Sequence, residues 1–222
     1  MSIFSSGSST TRTHFERQMK AVQQDVLRMG ALVEDSCWLA RKALLQRDLD
    51  AATAVDVQDK LIDQLYHQIE LDCVNLMALQ SPVSQDLRLL SALMQLVRDL
   101  ERIGDYAEDI SELAVKLFPY GELAVIDRVG LMLDRCRAMV ALSLEALSNL
   151  DLEAAKAIKY KDDVVDSDYD SLYKILVQTP VLPDGVEPVV LMVLVIRYLE
   201  RMADHATNIG NRVVYIITGK RH

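Results

Sequence analysis

The chain repeats itself, and that repeat constrains its fold more than any other feature. Arg98-Asp-Leu-Glu-Arg-Ile-Gly-Asp-Tyr-Ala-Glu-Asp-Ile110 aligns without gaps on Arg197-Tyr-Leu-Glu-Arg-Met-Ala-Asp-His-Ala-Thr-Asn-Ile209, with seven of thirteen positions identical. A second match lies upstream, where Asp48-Leu-Asp-Ala-Ala52 meets Asp151-Leu-Glu-Ala-Ala155. In the same register Asp59, Asp63 and Tyr66 meet Asp162, Asp166 and Tyr169. Two matches in the same order mean an internal duplication, and a duplicated unit sets the domain count before any motif is read. The offset falls from 103 to 99 between the two matches, which predicts a connection after the fifth helix four residues shorter than the one after the second.

The repeated unit is helical. Eight glycines and five prolines in 222 residues are few, and they gather where helices can end: Ser81-Pro82, Pro119-Tyr120-Gly121, Pro180 to Pro188, and Gly219. Softer breaks fall at Arg47-Asp48 and Leu150-Asp151. Between them lie six segments, about 14–46, 50–79, 85–117, 124–149, 152–178 and 188–218, each with apolar residues at three- and four-residue spacing. In the third, Leu89, Leu93, Leu96, Leu100, Ile103, Ala107, Ile110 and Ala114 form one stripe. The prediction is an all-α fold of two tandem three-helix bundles, 14–118 and 122–218, related by pseudo-twofold symmetry and joined at Phe118-Pro119-Tyr120-Gly121. Residues 1–13, rich in Ser and Thr, read as a disordered lead-in.

Composition narrows the functions open to such a chain. A net charge of -9 opposes binding to a phosphate backbone. The longest aliphatic run, Val189 to Ile196, is less than half the roughly 20 residues that a membrane span needs. Three widely spaced cysteines, Cys37, Cys73 and Cys136, suit a reduced, cytoplasmic protein without disulfides. No Gly-rich phosphate loop is present, which argues against nucleotide hydrolysis. No Ser, Cys or His constellation has nucleophile spacing. His205 reads as a packing or capping residue, and Trp38, between Cys37 and Leu39, as part of the core.

The acidic residues are ordered. On a helical wheel Glu101, Asp105 and Asp109 form a row at i, i+4 and i+8, beside Arg98 and Arg102 and opposite the leucine stripe. The sixth segment repeats this with Glu200, Asp204 and Asn208 beside Arg197 and Arg201. The second carries Asp59, Asp63 and His67, and the fifth Asp162, Asp166 and Asp170. A row of charge away from the core is ordinarily a solvated helix face. Yet like charges at i, i+4 repel by about 0.2–0.5 kcal/mol per pair, and four such rows in register are a sensible cradle for Mg, Mn, Fe, Ca or Zn ions. The wheel places that cradle on the surface, and the missing Glu-x-x-His pair sets it apart from a ferritin-type di-iron core. The arginines either pair with the carboxylates or hold an anion such as phosphate; spacing leaves both open.

At these residues the chain resembles the PhoU family of phosphate-signalling regulators. Glu101-Arg-Ile-Gly-Asp105, Tyr198-Leu-Glu-Arg-Met-Ala-Asp-His-Ala-Thr-Asn-Ile209 and the closing Val213-Val-Tyr-Ile-Ile-Thr-Gly219 carry the likeness, which runs from Phe15 to Gly219. The resemblance implies a tandem three-helix fold, a homodimer, and E(D)xxxD motifs that in family members bind multinuclear metal clusters at the surface. Carried over, the metal ligands are Asp59, Asp63, Glu101, Asp105 and Asp109 in the first half and Asp162, Asp166, Glu200, Asp204 and Asn208 in the second, holding divalent or trivalent Fe, Zn, Mn or Mg. One departure is visible: Asn208-Ile-Gly-Asn211 stands where family members commonly have Asn-Ile-Ala-Glu, so a carboxylate is missing.

The resemblance further implies a regulatory adaptor rather than an enzyme. It would restrain the phosphate-starvation response through the phosphate transporter ATPase subunit PstB and the sensor histidine kinase PhoR. Two alternatives from other classes are a multinuclear metal carboxylate enzyme, an oxidase or phosphohydrolase, and a metal-free helical dimerisation module.

Overall fold

The computed structural model describes residues 7–80, 82–180 and 185–220. They form six helices: α1 Gly7–Gln46, α2 Leu49–Gln80, α3 Gln85–Leu117, α4 Ile126–Asn149, α5 Leu152–Val177 and α6 Glu187–Thr218. The lead-in expected over residues 1–13 is already helical from Gly7; the stretch lacks proline and glycine beyond that point, so nothing interrupts the helix. Residues 1–6 lie outside the described residues. None of the described helices is long and apolar enough to cross a membrane.

The repeat is written into the backbone. Arg47 and Leu150, one repeat apart, both adopt left-handed φ values of 55° and 49°, and each ends a helix. The aspartate that follows then starts the next one. Asp48 Oδ1 accepts from Ala51 N at 2.9 Å, and Asp151 Oδ1 accepts from Glu153 N and Ala154 N at 2.9 and 3.0 Å. The Asp-Leu-x-Ala-Ala match is thus an N-cap, with the aspartate satisfying amides that have no partner within the helix.

The four-residue offset is resolved differently from expectation. Helix α5 has 26 residues against 32 in α2, while the connection from Val177 to Glu187 is longer than that from Gln80 to Gln85. The deletion shortens the helix instead of the loop, because Pro180 offers no amide and disfavours helical geometry in the residue before it.

Helices α1, α2 and α3 pack on one another, as do α4, α5 and α6, and the halves meet through α3 on α6 and α1 on α4. One apolar cluster runs through both halves, with Met29, Leu93, Leu96, Leu100, Ile103, Met132 and Met139 among its fully buried side chains. At about 2–5 kcal/mol for truncating such a side chain to alanine, these contacts dominate the fold's stability. Burial pushes the Cys37 and Cys73 thiols up to about 12 and the Cys136 thiol upward as well, so the cysteines are unreactive core residues. Trp38 is not core: it is 42% exposed, with the Lys42 ammonium 4.9 Å from its ring centroid.

The seam between α3 and α6 shows the pseudo-twofold directly. Asp99 and Tyr198 are repeat equivalents, and so are Tyr106 and His205. On one side of the axis Asp99 Oδ1 lies 2.8 Å from His205 Nδ1. On the other, Tyr198 stacks on Tyr106 with ring centroids 5.5 Å apart. Two different chemistries occupy one symmetric pair of positions. The connection between the halves is held by Arg47, which donates to the carbonyls of Phe118 and Tyr120 at 3.1 and 2.7 Å.

Candidate metal centre

Helix α3 is packed against α1, α2 and α6, and the side of it opposite the leucine stripe is at the surface but partly covered: Arg98 and Arg102 are exposed, Glu101 and Asp105 only in part. It forms one wall of a groove, with α2 the other. Glu101 and Asp105 project into that groove one turn apart, their side chains only 19% and 30% exposed. Asp63 meets them from α2, and oxygens of Asp63, Glu101 and Asp105 lie within 4.8 Å of one another. Asp59 follows one turn along α2, and its Oδ1 is buried without a hydrogen-bond partner.

Gly104 lies where the two helices come close: a Cβ there would stand 3.2 Å from Ile62 Cδ1 and 3.8 Å from Asp59 Oδ1, so a methyl group would have to displace the Ile62 side-chain tip slightly. The equivalent position of the second half is a buried alanine, Ala203.

The electrostatics follow from crowding carboxylates in a partly dehydrated groove. Burial first, then Asp63, Asp105 and Asp56, raise Asp59 to about 6. Burial and Asp59 lead the causes that lift Glu108 to about 7. Glu101, Asp105 and Asp109 are also raised, burial being the largest cause in each. Arg102 is the nearby cation, 3.0 Å from Asp105 and 3.6 Å from Glu101. Hard carboxylate oxygens gathered in one groove are the donor type that suits Mg, Mn, Fe or Zn.

The second half diverges from this arrangement. Asp162, the equivalent of Asp59, is 3% exposed and accepts from Lys159 at 2.8 Å through Oδ2, leaving Oδ1 buried and unpartnered. Asp166 and Asp204 are exposed, and Glu200 is held by Arg197 at 2.7 Å. Among the described residues, carboxylates converge to ligand distances only at Asp63, Glu101 and Asp105.

The halves also differ by a swapped ion pair that motif alignment passes over. In α2 the order is Asp56 then Lys60, bonded at 2.8 Å; in α5 the equivalent positions are Lys159 then Asp163, at 3.6 Å. The exchange aims the lysine of the second half at the buried aspartate. Nearby, Glu108 and Glu112 of the first half become Thr207 and Asn211.

Asp109 and Asn208, equivalent positions of the repeat, also stand apart from the converged trio. Asp109 is half-buried one turn beyond Asp105. Asn208, its equivalent, turns to the seam, where its amide donates to Asp99 Oδ1 at 3.3 Å. An aspartate at 208 would set two carboxylates against each other, so the amide here serves Asp99. His205 packs against Tyr106, with ring centroids 5.9 Å apart, and its Nδ1 lies 2.8 Å from Asp99 Oδ1, a contact that the sequence does not anticipate. Two of the arginines pair with carboxylates, Arg102 with Asp105 and Arg197 with Glu200, while Arg201 Nε donates to the Tyr106 hydroxyl at 3.4 Å. Sequence reading missed Asp56, Glu108 and Lys159, although extending the upstream alignment by three residues exposes the Asp56 to Lys159 reversal.

A family model described as PhoU domain matches residues 26–114 and 129–213. A phosphate-specific transport system accessory protein PhoU homolog of Synechocystis sp. is 52% identical, covering 95% of this chain and 94% of that protein. A homolog of the same description from Pseudomonas putida is 32% identical over 92% of this chain and 81% of its own length. Crystal structures of PhoU from Pseudomonas aeruginosa and of the phosphate transport system regulatory protein PhoU from Streptococcus pneumoniae both superpose with a TM-score of 0.85. Their identities are 30% and 29%, and they cover 93% and 94% of this chain and 100% and 99% of their own.

Proposed function

This chain belongs to the PhoU family, and from that membership we propose that it is a non-catalytic regulatory adaptor of phosphate uptake and phosphate-starvation signalling, working as a homodimer whose metal centres are built on its E(D)xxxD rows. Its protein partners in this reading are the phosphate transporter ATPase subunit PstB and the sensor kinase PhoR. Relatives described as accessory to phosphate-specific transport support the regulatory role.

The observation that carries the metal part is the convergence of Asp63, Glu101 and Asp105 between α2 and α3. The orphaned Oδ1 of Asp59 beside them fits the same hard cation. Bound metal would neutralise the carboxylates and tie α2 to α3. Asp162, Asp166, Glu200 and Asp204 form the corresponding second site, weaker because Lys159 already supplies a positive charge to Asp162. The outer helices α2 and α5, neither of which packs against the other half, present partners with exposed apolar residues such as Val57, Leu61, Leu71 and Val74 on one and Tyr160 and Val164 on the other.

The test is a pull-down of the ATPase subunit and the kinase's cytoplasmic region with the native chain, metal-loaded and chelated, and with Asp63→Asn/Asp105→Asn. Retention of a partner that weakens on chelation and in the variant supports the reading. Retention of neither partner under any condition rejects it.

A further inference from the structure

The duplication creates two equivalent crevices, at opposite ends of the α3/α6 seam, and the chain fills only one of them. The first lies between α1, the start of α3 and the end of α4, encloses about 200 Å³ and is lined by Leu27, Leu89, Leu93 and Leu147. Its equivalent lies between the start of α4, the start of α6 and the end of α1, where about 20 Å³ is left. The walls correspond through the repeat: Leu93 with Met192, Leu147 with Leu44, Gln23 with Ile126 and Lys20 with Leu123.

What fills the second crevice is the connection between the halves. Leu123 and Val125 are 9% and 4% exposed and join the core, while Glu122 beside Leu123 stays exposed. Arg47 holds the same segment by donating to the carbonyls of Phe118 and Tyr120. In the first half α1 is already helical over the equivalent stretch 15–22, so no chain turns inward and Lys20 is exposed where Leu123 is buried. The molecule displays at one end the kind of segment that this crevice takes, and leaves the same crevice uncovered at the other.

From this we infer that the crevice at Leu27, Leu93 and Leu147 is a docking site for an extended segment of a partner protein with a leucine-type anchor next to an acidic residue, the pairing that Glu122-Leu123 presents at the other end. Size and charge select that occupant. A volume of about 200 Å³ is below the roughly 300–1,000 Å³ of pockets that enclose a small molecule, but it suits an anchoring side chain at the centre of a protein interface. Lys20 is the single charged residue in its wall among those described, so it complements an acid beside the anchor. Gln23, Gln24 and Ser148 supply donors and acceptors for the segment's backbone. The inference goes beyond the regulatory reading and does not depend on bound metal, because the crevice uses none of the E(D)xxxD residues.

The probe is a fluorescein-labelled peptide with the sequence of residues 118–126, titrated with the full chain and read by fluorescence anisotropy. The native protein should bind it, and the Leu123→Ala version of the peptide should bind at least about 10-fold more weakly. In the protein, Ser148→Trp obstructs the crevice and Lys20→Glu reverses its charge; both positions are exposed, so the fold tolerates the changes. Ser148→Trp should abolish binding and Lys20→Glu should weaken it several-fold, whereas Lys156→Glu, the same charge change on α5, should leave it unaltered. Three results overturn the inference: no binding at about 1 mM protein, binding indifferent to Ser148→Trp, or displacement of the peptide by octanoate, which would make the crevice a pocket for a small amphiphile.

Discussion

The two halves of the molecule share one fold and differ in how they handle the same buried aspartate. In the first, Asp59 has an unpartnered Oδ1, stands among Asp63, Asp105, Asp56 and Glu108, and is raised to about 6. In the second, Asp162 is more deeply buried, yet Lys159 bonds it at 2.8 Å. Exchanging the two members of an i, i+4 ion pair changes helix stability by no more than about 0.5 kcal/mol, with the acid-first order of Asp56 and Lys60 the better one. The two copies share their packing, and in the second the buried aspartate bonds a lysine of its own helix.

The largest expected effect breaks the comparison at the metal. Asp63→Asn/Asp105→Asn should remove the tight class of bound metal, while Asp166→Asn/Asp204→Asn should leave it in place, as counted by elemental analysis of dialysed protein.

Removing the internal cation comes next. Lys159→Ala strands the Asp162 carboxylate and should cost about 2 kcal/mol in urea unfolding, since it leaves a buried acceptor unsatisfied. The matching change in the first half, Lys60→Ala, breaks a pair whose side chains are 66% and 53% exposed and should cost no more than about 0.5 kcal/mol. Equal losses would mean that the swap has no bearing on the groove.

The third prediction concerns pH. Asp59 and Glu108 have native pKa values raised from 3.8 to about 6 and from 4.5 to about 7. The native state therefore holds protons that the unfolded chain releases. Stability from these groups is full below pH 3.8 and 4.5 and is lost as pH rises through about 6 and 7. Metal-free protein should melt lower at pH 8 than at pH 5, and Asp59→Asn/Glu108→Gln should flatten much of that slope. A slope unchanged in the double variant would remove these two carboxylates as its source.

The smallest effect lies at the seam. Asn208→Asp replaces a hydrogen bond to Asp99 with a like charge and should cost about 1 kcal/mol, whereas Asp109→Asn relieves crowding and should raise the metal-free melting temperature slightly. If Asn208→Asp is neutral, the amide is not serving Asp99.

Much of this was legible in the chain before any coordinates. The six helices follow from apolar periodicity interrupted at Arg47-Asp48, Pro119, Leu150-Asp151 and Pro180, and the duplication follows from two ordered matches. Local chemistry of that kind is written residue by residue. The groove was not, because a wheel assigns a polar face to solvent and cannot know that α3 has neighbours on three sides. Glycine at 104 gave no sign of the close approach there, nor Gly210 of the tighter one in the second half, where a Cβ would stand 2.9 Å from the Ala155 carbonyl oxygen. Asn208 looked like a weakened ligand because its partner, Asp99, lies 109 residues away in sequence. The connection after α5 was misjudged because an offset counts residues without saying whether a loop or a helix lost them.

The central claim is that the halves are unequal: the proposed site of the first holds metal tightly, and that of the second, where Lys159 pairs with Asp162, holds it weakly. Native mass spectrometry of the full chain with Mn²⁺ tests it most directly, applied to the native protein, Asp63→Asn/Asp105→Asn and Asp166→Asn/Asp204→Asn. The account predicts that tightly held metal disappears in the first variant and persists in the second. Equal loss in both variants, or loss only in the second, would contradict it.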